Sequence, residues 1–109
     1  MDLEIDLPSF LSGGDELRFF QGLKDLTAIR EFQVNEARLL LRVEIRFLTR
    51  TAAKEFIALL TRYKVSLTPL RFLSVTNKKF AWLADPGEYW YPSMFGDKNL
   101  PADPENTRR

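Results

Sequence analysis

Residues 35–65 read NEARLLLRVEIRFLTRTAAKEFIALLTRYKV, and the fold turns on this stretch because two periodicities meet inside it. From Arg38 to Phe47 the residues alternate. Leu39, Leu41, Val43, Ile45 and Phe47 fall on one side, and Arg38, Leu40, Arg42, Glu44 and Arg46 on the other. A period of two is that of a strand buried on one face. The β-branched pair Val43 and Ile45 favours extended backbone, and the charged opposite row suits an antiparallel sheet with one wet face. The spacing predicts Val43 and Ile45 in the core. The rival reading is one long helix from Asn35 to Lys64.

At Thr49-Arg50-Thr51 the period changes. A threonine can accept an N–H bond as a helix cap, after which Ala53, Phe56, Ile57, Leu60 and Lys64 share one helical stripe beside Ala52, Leu59 and Tyr63. Such a helix is amphipathic and lies on the sheet. It ends near Lys64, because Val65, Leu67 and Thr68 lean extended and Pro69 disfavours helix in the residue before it.

The composition bounds what the chain can do. With 109 residues it fits one domain, expected over residues 1–95 with a loose polar tail over 96–109. Hydrophobic residues at 45% and charged ones at 28% are those of an ordinary globular protein. No apolar run approaches the ~20 residues that span a bilayer, and the acidic, alternating start Met-Asp-Leu-Glu-Ile-Asp is unlike a basic signal peptide, so the expected location is cytoplasmic with no membrane partner. Cysteine and histidine are both absent. That excludes disulfides, thiolate nucleophiles, serine–histidine triads and histidine metal sites within this sequence. No cofactor is expected.

The net charge of +1 hides a division along the chain: residues 1–29 carry −4, residues 30–79 carry +7, and residues 80–109 carry −2. A basic middle can mark a polyanion-binding face, or it can be neutralised inside the fold by the acidic ends.

Outward from the central stretch, Leu3, Ile5 and Leu7 alternate with Asp2, Glu4 and Asp6 and predict a first strand ended by Pro8. Its row of carboxylates does not converge as a hard-cation site requires, and pairing with arginines on a neighbouring strand accounts for it. Ser12-Gly13-Gly14-Asp15 leads into a helix to about Asp25, capped by Ser12 or Asp15 and weakened by Gly22 by up to ~1 kcal/mol. The glycine pair lacks the lysine and serine or threonine of a phosphate loop. Ala28 to Val34 predicts a second strand, Phe32 and Val34 inward, with an irregularity at Arg30-Glu31, and a turn at Asn35-Glu36 makes it one arm of a hairpin. Beyond the second helix, Leu70–Val75 and Phe80–Leu83 read as a further hairpin with Lys78 and Lys79 at its tip. The order β-α-β-β-α-β plus an extra C-terminal strand resembles the ferredoxin-like α/β plait, an antiparallel sheet with two helices on one face. The resemblance is one of element order over residues 1–83, and this architecture hosts many functions.

Two groups of residues could carry a function. The segment after Pro86 concentrates aromatics, and Trp82, Tyr89, Trp90, Tyr91 and Phe95 could anchor another protein, since tyrosine and tryptophan concentrate at binding hot spots. Packing of the same rings into the core is the competing reading. Arg38, Arg42 and Arg46, spaced by four on one predicted strand face and about 13 Å apart, with Lys78 and Lys79 in reach, could instead track a phosphate backbone. Lys79-Phe80-Ala81-Trp82 only faintly resembles an RNA-recognition motif and lacks its glycines. Asp85, Glu88 and Asp97 beside Tyr89 and Tyr91 are the one candidate constellation for a small carboxylate-dependent enzyme. The expectation is a small, non-catalytic protein-binding module (adaptor, assembly factor or inhibitor) whose partner is another protein or a second copy. Nucleic-acid binding through the basic face is the alternative.

Overall fold

The computed structural model describes residues 1–96. The chain is α+β and divides into two compact units, Met1–Ser66 and Leu67 onward.

The first unit is built on an antiparallel sheet of β1 (Asp2–Asp6), β2 (Ile29–Asn35) and β3 (Arg38–Val43), in the order β1-β3-β2. Between β1 and β2 runs helix α1 (Gly13–Asp25), and after β3 a short 3-10 turn (Ile45–Phe47) leads to α2 (Arg50–Arg62). Alternation explains the strands. Leu3, Ile5, Leu39, Leu41 and Val43 are buried, while Asp2, Glu4, Asp6 and Arg42 are exposed. β2 and β3 form the expected hairpin, and the register slips between Ile29 and Glu31, which places a bulge at the anticipated irregularity. Phe32 is half-buried and stacks on Phe20 of α1 with centroids 5.4 Å apart, whereas Val34, read as inward, is 49% exposed beside the hairpin turn.

Each helix starts where its cap predicts. The Ser12 hydroxyl accepts the Asp15 N–H at 3.1 Å, and the Thr49 hydroxyl accepts the Ala52 N–H at 3.0 Å. The buried stripes are Phe19 and Leu23 on α1, and Ala53, Phe56, Ile57, Leu59 and Leu60 on α2. An aromatic cluster joins the pieces: Phe10 and Tyr63 both meet Phe19, at 5.6 and 5.4 Å. Gly22 has a packing reason that outweighs its weak helix propensity, because a Cβ there would stand 2.9 Å from Leu59 Cδ1.

Two expectations need correction. The strand stops at Val43, since the backbone turns into the 3-10 segment at Ile45, and Ile45 is therefore half-buried rather than in the core. The plait also does not continue. Leu70–Val75 and Phe80–Leu83, expected as a hairpin and the source of the last strands, are helical in the second unit: a 3-10 turn (Thr68–Leu70), α3 (Arg71–Thr76), a 3-10 segment (Lys78–Ala84) and α4 (Tyr91–Phe95). Within those two runs the buried residues are Leu70 and Leu73, then Phe80 and Leu83, spaced by three as a helix requires. Pro69 opens a helical turn, where its missing N–H costs nothing, instead of marking extended chain. The expected tail lies, from residue 97 on, outside the described residues.

Candidate functional site: the open face of the sheet

The sheet register determines what its outer face displays. Asp2, Arg42 and Glu31 form one row across the three strands, Glu4, Leu40 and Gln33 the next, and Asp6, Arg38 and Asn35 the third. β3 is the middle column, so its two arginines sit between carboxylates. Arg38 Nε donates to Glu4 Oε2 at 2.7 Å, and its Nη1 donates to Asp6 Oδ1. Arg42 bridges Asp2 at 3.6 Å and Glu31 at 3.4 Å. The hydrogen bond from Arg38 to Glu4, with the nearby Asp6 and Glu4 charges, raises the guanidinium pKa above its ordinary value. All these side chains are substantially exposed, so water screens the pairs and they add little to stability. Their main effect is to hold the side chains in place.

Within this frame lies a concavity of about 500 Å3 bordered by Asp2, Glu4, Glu31, Gln33, Leu40 and Arg42. Half-buried Leu40 is the one apolar side chain in the three outer-face rows. Four carboxylates face two guanidiniums, so the face carries excess negative charge even though β3 is basic. Sequence reading placed Arg38 and Arg42 on this face and anticipated their pairing with β1. It missed Glu31 and Gln33 as a continuation of the face that Leu40 shares with those arginines, because cross-strand register is not visible along one strand.

Arg46 does not share that strand face. It lies on the 3-10 turn, 3.5 Å from Glu44, and its guanidinium stands 5.1 Å from the centre of the Phe47 ring, which Arg30 also approaches at 5.6 Å. This makes a guanidinium–phenyl–guanidinium cluster. Lys78 and Lys79 are likewise not at a hairpin tip. They open the 3-10 segment of the second unit, where Asn77 Oδ1 accepts the Lys79 N–H at 3.0 Å and the Lys79 ammonium stands 5.5 Å from the Phe80 ring centre.

The aromatic residues are divided between packing and surface. Trp90 is 2% exposed and donates its indole N–H to the Leu83 carbonyl at 2.9 Å, with Trp82 and Tyr89 meeting it edge-on at 5.7 and 5.2 Å. Tyr91 and Phe95 stack at 5.1 Å along α4, and Arg71 lies 5.8 Å from the Phe95 ring centre. Tyr89 is 60% exposed; Trp82, Tyr91 and Phe95 are half-buried. Of the acidic candidates, Asp85 accepts the Gly87 N–H at 2.9 Å as a turn residue, and Asp97 lies outside the described residues. Among the described residues no cluster of acidic side chains has the makings of a metal site, and no helix is long and apolar enough to cross a membrane. No protein-family model, curated protein or solved structure matches this chain.

Proposed function

We propose that the chain is a non-catalytic protein-binding module that works through the open face of its sheet. The observation that supports this reading is the array on that face, in which Arg38 and Arg42 lie between carboxylates and Arg42, Glu4, Glu31 and Leu40 border one concavity. Side chains already held in place lose little freedom on binding, and a small apolar centre inside a polar rim is how protein interfaces are built. The excess of carboxylates disfavours phosphate at the same place. Trp90, committed to the packing of the second unit, is less available as an anchor.

Affinity capture from the native source tests this, with the native chain, Leu40→Asp and the α2 surface variant Lys54→Glu as baits. Proteins lost with Leu40→Asp and retained with Lys54→Glu support the reading; identical captures overturn it. The nucleic-acid alternative moves to the Arg30–Phe47–Arg46 cluster, since exposed arginines around a ring can stack and pair with a single strand. Two phosphate contacts there predict a log–log salt slope of about −1.4 for a single-stranded oligonucleotide, abolished in Arg30→Glu/Arg46→Glu.

A further inference from the structure

The two edges of the sheet differ, and the difference identifies the one that can take a further strand. Met1 and Val43 exchange main-chain hydrogen bonds at 2.7 Å in both directions, and Leu7 N–H donates to the Ala37 carbonyl at 2.9 Å. Antiparallel pairing alternates, so odd-numbered residues of this strand point their main-chain groups at β3, and Asp2, Glu4 and Asp6 point theirs away from it. The register of β1 is unbroken from Asp2 to Asp6. On β2 the same counting leaves Phe32 and Val34 facing outward, between the bulge at Arg30 and the hairpin turn. A bulge is a standard device for blunting an edge, and β1 has none.

Charge selects the occupant. Two copies joined antiparallel through β1 would set Asp2 against Asp6 and Glu4 against Glu4, a repulsive pairing on the shared face. The matching pattern is the one β3 already presents to β1, with arginine opposite Asp2 and Asp6.

We infer that the β1 edge binds an extended basic segment of another protein, added antiparallel as a fourth strand. Its arginine or lysine side chains lie over Asp2, Glu4 and Asp6, and its alternate apolar side chains lie on the side of Leu3 and Ile5. This rests on the protein-binding reading and names the chemistry of the partner.

The test uses the full chain and a short capped peptide alternating arginine with valine, followed by amide hydrogen exchange in NMR. Exchange at Asp2, Glu4 and Asp6 is expected to slow on saturation by about tenfold or more, with Leu3 and Ile5 little changed, because only the outward amides gain partners. The charge-neutral variant Asp2→Asn/Glu4→Gln/Asp6→Asn, checked for an unchanged fold by its spectrum, is expected to bind about tenfold more weakly. A peptide alternating glutamate with valine is expected not to bind. Absence of binding by the arginine peptide, or equal binding of the glutamate peptide, overturns the inference. So does binding that leaves the three amides unprotected and perturbs Gln33 and Leu40 instead, but that result keeps the protein-binding reading by placing the partner on the face rather than the edge.

Discussion

At the scale of single residues, two backbone positions carry strain that glycine would relieve. Lys64 has φ 61°, in the left-handed region, just past the end of α2. Its N–H donates to the Thr61 carbonyl at 3.1 Å and that of Val65 to the Leu60 carbonyl at 2.9 Å, the double bond of a Schellman ending. Glycine is the usual residue there, so Lys64→Gly is expected to stabilise the protein by ~0.5–1 kcal/mol, read as a raised thermal midpoint. Glu36, φ 57°, is the first of the two residues between Asn35 and Arg38, as in a type II′ hairpin. Neither position shows in the sequence, because the residue that signals positive φ is absent from both. In the core, Ile5 is fully buried whereas Ile45 is half-buried. Ile5→Ala is expected to cost ~2–5 kcal/mol in denaturant unfolding and Ile45→Ala distinctly less. Arg42→Ala, which breaks only exposed pairs, is expected to cost under ~1 kcal/mol. The raised pKa of Arg38 contributes stability that is present below the unfolded value and lost only in strongly alkaline solution, so its own titration brings no pH dependence near neutrality.

At the scale of elements, α1 and α2 approach closely where Gly22 meets Leu59. A larger residue gains helix propensity but has to displace a buried leucine. Gly22→Val is expected to destabilise by ~1–3 kcal/mol, as overpacking does, measured by urea titration. In the second unit the indole bond to the Leu83 carbonyl spans seven residues and is buried. Trp90→Phe keeps most of the ring and leaves that carbonyl without its donor, so a loss of ~1–3 kcal/mol is expected in thermal unfolding. The caps of α1 and α2 and the stripe of α2 were legible because they are local: a hydroxyl three residues before its N–H, and apolar residues at helical spacing over several turns. The short runs after Pro69 were not. Leu70, Phe72, Leu73 and Val75 satisfy a period of two about as well as three, and the difference appears only in which are covered: Leu73 is buried, Phe72 and Val75 are exposed.

At the scale of the molecule, charge and aromatic residues are distributed differently from their order in the chain. The basic middle supplies Arg38 and Arg42 to a face where acidic β1 neutralises them, while Arg46 turns to the ring of Phe47. In the second unit, removing everything after Ala84 takes away buried Trp90 and Met94. Truncation there is expected to lower the midpoint of that unit's unfolding and shift the fluorescence of Trp82 toward that of a solvent-exposed indole.

The sequence by itself determined β1, the β2–β3 hairpin with its bulge, and the two capped helices, because alternation, turn residues and capping hydroxyls act within a few residues of one another. Tertiary structure alone decided the rest. It ended β3 at Val43, made helices of 70–84, put Glu31 and Gln33 beside Leu40, and gave β1 an edge whose outward amides belong to its three carboxylates. Those outcomes depend on which surfaces cover which, and on cross-strand register, neither of which a period read along one segment contains.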